Sequence, residues 1–271
     1  MKISSQQQNG LRFANFLSPL MQETYQRIAE EVGRRLAITT SLHTGATLDE
    51  FEAGEADLGF LCGLLYVRLR QRSDCPVDIL AAPVLSGERY QGRPIYFSDV
   101  IVRKASVYTS FDDLAGCRWA YNERASHSGC NVVSYSLLER KKDPNYFGSL
   151  LQTGSHLQSV QAVVEGEADA AAIDSHVLAV FLQRNPQIAA DLRTIDVMGP
   201  SSVPPVVISK RIAPELKKQL QTIFLRLHQD EGLRPSLQAG LIEQFVAVED
   251  KQYGDIESML KKVEAVSFPF V

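Results

Sequence analysis

Cysteine is scarce in this chain, tryptophan scarcer, and apolar runs are short: four cysteines and one tryptophan among 271 residues. Cys62, Cys75, Cys117 and Cys130 lack the paired C-x-x-C spacing of a metal site. A core of this size needs no disulfide, and all four read as structural thiols. No stretch approaches the roughly 18 uninterrupted apolar residues of a membrane span, so no insertion into a bilayer is expected. Net charge is -4, with no basic cluster able to follow a phosphate backbone, which argues against nucleic acid as a partner. The opening residues, Met1-Lys2-Ile3-Ser4-Ser5-Gln6-Gln7-Gln8, lack the apolar core of a secretory signal. That fits either a cytoplasmic chain or a mature or trimmed form. G-x-S-x-G, H-E-x-x-H and the Walker loop are missing as well, and no metal or cofactor is expected.

What is present is a soluble globular composition, 45% apolar and 22% charged, with length for one large domain or two ordinary ones. The string Gly-Glu-Ala-Asp occurs twice, at Gly54–Asp57 and Gly166–Asp169. Each copy sits in an amphipathic helix, a glycine stop, a short buried strand and another helix. Leu69-Arg70-Gln71-Arg72 closes the first and Phe181-Leu182-Gln183-Arg184 the second, in register. The pattern predicts two similar α/β lobes with a small-molecule cleft between them.

Strands are expected at Leu11–Phe16, Ile38–Leu42, Ala56–Cys62 and Val77–Leu85, alternating with helices over 20–36, 48–53 and 64–72. Ser18 followed by Pro19 reads as a helix opening. Ser86–Pro94 is a turn-rich break, and Ile95–Arg103 a strand crossing into the second lobe. There, strands at Cys117–Tyr121, Ser149–Thr153 and Ala168–Ile173 alternate with helices over 128–141, 156–165 and 176–192. Arg193–Val197 returns, Val203–Ser209 rejoins the first sheet, and helices over 214–228 and 249–263 pack on lobe one. Lobe one is then discontinuous, residues 1–90 plus 198–271, and lobe two is 91–197. The fold class is α/β: each lobe a mostly parallel sheet flanked by helices, joined by two crossing strands that make a hinge.

The sharpest constellation is Tyr121-Asn122-Glu123-Arg124-Ala125-Ser126-His127-Ser128-Gly129-Cys130, joining a strand to a helix. A helix's first turn offers unpaired N–H groups and the positive end of its dipole. Hydroxyls at Ser126 and Ser128 add donors, so the turn reads either as an oxyanion cradle or as a serine cap. His156, in Gly154-Ser155-His156, lies at another strand-to-helix junction of the same lobe, where the two histidines can converge on one edge; capping or a surface role is the alternative. Asp174 ends a strand and reads as an N-cap or as a ligand's hydrogen-bond acceptor. Tyr96 at the crossing and Tyr66 after the third strand are either core aromatics or walls of the site.

Several of these segments together resemble the phosphate, phosphite and phosphonate-binding components of ABC importers. They are Glu55–Phe60 followed by Tyr66, Ser98–Lys104, Phe111–Gly116, the Ala125–Gly129 turn and Gly154–His156. The resemblance implies the type II periplasmic binding protein fold. It also implies an oxyanion held by Ser126, His127, Ser128 and Gly129 at the helix N-terminus, assisted by His156 and Tyr96, with Asp174 contacting the substituent on phosphorus and Tyr66 among the ligand contacts. A monomer serving an ABC permease in the periplasm or cell envelope follows from it. That family's turn reads Ser-Thr-Ser, whereas here His127 stands in the middle. Two rival readings remain: an enzyme on this fold acting on a small carboxylate or nucleoside-derived substrate, or a ligand sensor for a partner protein.

Overall fold

The computed structural model describes residues 10–266 and 268; the opening Met1–Gln8 lies outside them. In chain order the elements begin with β1 (Leu11–Asn15), α1 (Gln22–Leu36), β2 (Thr40–Thr44), α2 (Glu50–Ala53), β3 (Leu58–Phe60), α3 (Gly63–Arg70) and β4 (Val77–Leu85). Next come β5 (Ile95–Arg103), β6 (Arg118–Tyr121), a π-turn (His127–Asn131) running into α4 (Val132–Glu139), β7 (Ser149–Gln152) and α5 (His156–Glu165). They are followed by β8 (Ala170–Asp174), α6 (Ser175–Arg184), α7 (Pro186–Asp191) and β9 (Leu192–Ser202). The chain closes with β10 (Val206–Ser209), α8 (Pro214–Phe224), α9 (Arg234–Ala239), β11 (Ile242–Val246) and α10 (Gly254–Glu264). No helix of the described residues is long and apolar enough to cross a membrane.

The backbone divides into two compact units. One takes the described residues up to Leu61 together with Leu69–Ser86 and Pro204–Glu249; the other takes Cys62–Arg68, Gly87–Val203 and the described residues from Asp250 onward. The first unit's sheet runs β11-β4-β10-β3-β1-β2 and the second's β7-β6-β8-β5-β9. Both are mixed. β1 pairs in parallel with β2 and β3, and β6 with β7 and β8, while β10 and β5 run against both of their neighbours.

Local chemistry accounts for the element ends. Ser18 caps as its sequence predicts, its hydroxyl accepting from the Leu20 N–H with Pro19 in the first helical position. The helix expected over 176–192 breaks at Asn185, because Pro186 has no N–H to give to a continuing helix and instead opens α7. The helix expected over 249–263 on lobe one belongs to the second unit: Ile256, Leu260 and Val263 form its buried stripe, and it packs on α4 and β9. The second sheet is covered on both faces. Along it, Val100, Trp119 and Ala172 face one core, while Ile101, Ala120 and Ile173 face the other. Trp119 stacks on Phe147 with ring centroids 4.3 Å apart.

The duplicated string has a structural meaning. Asp57 Oδ2 accepts from the Arg12 N–H (2.9 Å) and Nε (3.1 Å), and Oδ1 from Nη2 (3.1 Å). Asp169 does the same with Arg118, at 2.9, 3.2 and 2.7 Å. In return the N–H of each aspartate donates to the carbonyl of its arginine at 2.8 Å. Each clasp ties the start of one strand, β1 or β6, to the chain entering its parallel partner. Gly54 and Gly166 stop the preceding helices at φ +80° and +82°, a conformation that costs glycine little.

Candidate functional site

The residues singled out at the turn gather in the second unit, at the carboxyl ends of β6 and β8. β6 ends at Tyr121, and five residues later Ser126 caps the π-turn. Its Oγ accepts from the Gly129 N–H (3.1 Å) and its carbonyl from the Asn131 N–H (3.1 Å). Serine therefore caps here, and the Ser126 hydroxyl oxygen faces the helix. The His127 N–H donates to the Cys62 sulfur, which also accepts from the amides of Leu64 and Leu65 in α3. The Ser128 N–H belongs to neither arrangement.

The His127 ring is 1% exposed. Its Nδ1 accepts from Asn131 Nδ2 (3.1 Å), and its Nε2 meets Ser201 Oγ (2.9 Å). Burial pushes its pKa down to about 3. A protonated His127 reaching for an anion is thus not what the structure holds. Ser128 Oγ lies 2.9 Å from His156 Nε2 and also hydrogen-bonds the Tyr96 hydroxyl, while its carbonyl accepts from Ser98 Oγ at 2.6 Å. His156 opens α5 behind its cap Ser155; burial lowers it to about 4, and its Nδ1 is buried with no hydrogen-bond partner among the described residues. An orphaned acceptor is tolerated better than an orphaned N–H. The ring's proton therefore sits on Nε2 and points at Ser128. Ser128 Oγ accepts it, and the serine's own proton is on the side of the Tyr96 oxygen, whose pKa that bond lowers.

Gly129 is required by contact rather than by conformation. A Cβ there would lie 1.9 Å from Asn122 Oδ1 and 3.3 Å from His156 Cε1. Tyr96 is buried, and burial, together with Cys62 and Asp174, holds its hydroxyl well above its ordinary pKa, so it stays a donor. Asp174 caps α6: Oδ1 accepts from the His176 N–H (2.8 Å) and the Val177 N–H (3.2 Å), and Oδ2 takes no part in the cap. Burial raises its pKa to about 7, with the Asp99 charge adding to the rise. Tyr66 takes the core alternative, though not in the first lobe. It is 1% exposed in the second unit, its hydroxyl donates to the Asp250 carboxylate, and its ring meets Tyr253 edge-on at 5.2 Å.

Sequence reasoning assigned no role to Cys62, Ser98, Asn122, Asn131 or Ser201, although Asn122 and Ser98 fall inside segments it singled out. Among the described residues no group of acidic, histidine and cysteine side chains could hold a metal. Cys117 and Cys130 are buried thiols pushed up to about 12 by burial, and inert for that reason. The site therefore offers neutral O–H and N–H donors, two uncharged imidazoles and one carboxyl that titrates near neutrality.

Known structures share this architecture. PhnD1 of Prochlorococcus marinus, solved in complex with methylphosphonate, is similar with a TM-score of 0.82 at 18% identity, over 95% of this chain and 99% of that one. A binding-protein component of an ABC phosphonate transporter from Pseudomonas aeruginosa gives 0.83 at 18% identity, over 95% and 87%. The aliphatic sulphonate binding protein SsuA of Escherichia coli gives 0.64 at 11%, over 96% and 88%. At these identities the likeness shows the fold, that of the type II periplasmic binding proteins. The sequence profile described as "ABC transporter, phosphonate, periplasmic substrate-binding protein" matches residues 15–253. With the match spanning most of its length, the chain belongs to the family of phosphonate-binding substrate-binding proteins of ABC transporters.

Proposed function

We propose that this chain captures a phosphonate, phosphite or similarly small oxyanion at the π-turn of its second unit and delivers it, unchanged, to an ABC permease at the cell envelope. The observation that carries the reading is Ser128: its hydroxyl oxygen lies 2.9 Å from His156 Nε2 at the head of a helix, so its proton can turn to a ligand oxygen. Charge-assisted hydrogen bonds from neutral donors, strengthened in a dry site, supply affinity without a buried cation. Asp174 Oδ2 is the acceptor for a P–OH or an amine on the ligand. Tyr66, committed to Asp250, drops out of the contact set.

The Ser128–His156 pair is the one feature that favours an enzyme, since a serine within 2.9 Å of an imidazole is how a nucleophile is activated. Two features argue against it. His156 Nδ1 has no carboxylate to orient it, and the ring is lowered to about 4, too weak a base at neutral pH. Methylphosphonate, phosphite and phosphate, each titrated by calorimetry and by thermal unfolding, test the proposal. A bound ligand at one hundred times its Kd stabilises the protein by about 2.7 kcal/mol. Failure of all three to bind, or a changed ³¹P spectrum of methylphosphonate after prolonged incubation, would overturn it.

A further inference from the structure

The middle residue of the turn is the one that departs from the family's pattern, and its surroundings assign it a task. Asn131 can only donate through Nδ2, so His127 Nδ1, 3.1 Å away, is an acceptor and carries no proton. The ring's hydrogen is then on Nε2 and is given to Ser201 Oγ at 2.9 Å. Both nitrogens are used, and protonation of Nδ1 would set two donors against each other.

Ser201 is in place because of a fault in the β5–β9 ladder. Tyr96 pairs with Ser201 and Ser98 with Met198, so one residue of β5 is matched by two of β9, Gly199 and Pro200. This bulge restores parity: Ser201 comes to the face shared by Tyr96 and Ser98, where an unbulged strand would turn it to the other side. Three bonds then fasten the π-turn to β5 and β9: His127 to Ser201, Ser98 Oγ to the Ser128 carbonyl, and Tyr96 to the Ser128 hydroxyl.

We propose that His127 is a positioning residue, a neutral strap from Asn131 to Ser201 that sets the Ser128 hydroxyl and N–H in line for an anion without touching it. The inference rests on the reading of this turn as the oxyanion site. The titratable groups facing the turn are Tyr96 of β5, Cys62 ahead of α3, His156 of α5, Asp174 at the end of β8 and Asp255 of α10. None of them bonds the His127 ring. Burial alone depresses its basicity, and no carboxylate opposes that. The pH response of binding therefore comes from Asp174 and from the ligand, not from His127.

The test uses the full chain labelled with ¹⁵N-histidine, with methylphosphonate as the probe. In the ligand-free protein the His127 ring nitrogens are expected to show the Nε2–H tautomer and no titration between pH 5 and 8. Saturating methylphosphonate leaves that pattern in place. His127→Gln keeps a donor within reach of Ser201 and is expected to hold Kd within about threefold, with an unchanged pH profile from 5 to 8. Ser201→Ala, which leaves the ring but removes its acceptor, raises Kd about tenfold, the effect of one lost hydrogen bond. A titrating His127, a ring resonance that moves on ligand addition as a direct contact does, or a His127→Gln profile that loses a pH step would overturn the proposal. If wild-type protein ignores methylphosphonate, the ligand reading falls, while the tautomer and titration of the free protein still decide whether the strap exists.

Discussion

Asp174→Asn isolates the most perturbed carboxyl of the site. In the fold its pKa is raised from 3.8 to about 7, chiefly by burial. A raised acid binds its proton more tightly folded than unfolded, so it costs nothing below pH 4, where both states are protonated. Its cost grows as pH climbs from about 4 to 7 and is complete above that. The interval corresponds to about 4 kcal/mol as an upper limit. Asparagine retains the oxygen that caps His176 and Val177 and cannot ionise, so the variant keeps the cap and loses the penalty. Urea unfolding of both proteins from pH 4 to 8.5 measures the difference, and every other titrating group cancels between them. The variant should match wild type near pH 4 and exceed it by about 2 to 4 kcal/mol at pH 8. A stability gap independent of pH would refute the reasoning, since it would mean that Asp174 folds as freely charged as it is in water.

Further outcomes follow from the turn. Gly129→Ala, whose Cβ would meet Asn122 Oδ1 at 1.9 Å, is expected to cost about 1 to 3 kcal/mol in urea unfolding. Asn122→Ala in the same chain should recover most of that loss. Ser126→Ala removes a cap and lowers stability by about 1 kcal/mol with little change in methylphosphonate affinity. Ser128→Ala does the reverse, weakening binding about ten- to a hundredfold by calorimetry with stability nearly kept.

How far the sequence led depended on how local the deciding interaction is. Val77–Leu85, Ile95–Arg103 and His156–Glu165 fall where the reading put them, because their periodicity and the glycines and prolines beside them act within a few residues. The turn at Ser126–Gly129 stood out for the same reason. α9 and β11 were not foreseen: α9 is short, and β11 exists by pairing with β4, far away in the chain. Ser201 lies 74 residues from His127. It reaches the turn only through a bulge, and shifting a strand by one residue exchanges every face. Cys62 and α10 were assigned to the first lobe by continuity of sequence, but burial of the stripe on α10 decided otherwise. For Tyr66 the sequence leaves core aromatic and ligand wall both open, because an aromatic's partner is invisible in it and Asp250 is 184 residues away.

The arginine–aspartate clasps stand at the strands' entry ends, whereas Asn122 and Asp174 lie beyond or at their exits. In the second sheet the clasp and the proposed recognition residues thus occupy opposite rims. Residues on the exit rim can be exchanged, a threonine for a histidine or one acid for another, without untying what keeps the parallel strands abreast. A scaffold divided this way can acquire a new guest by rewriting only one of its borders.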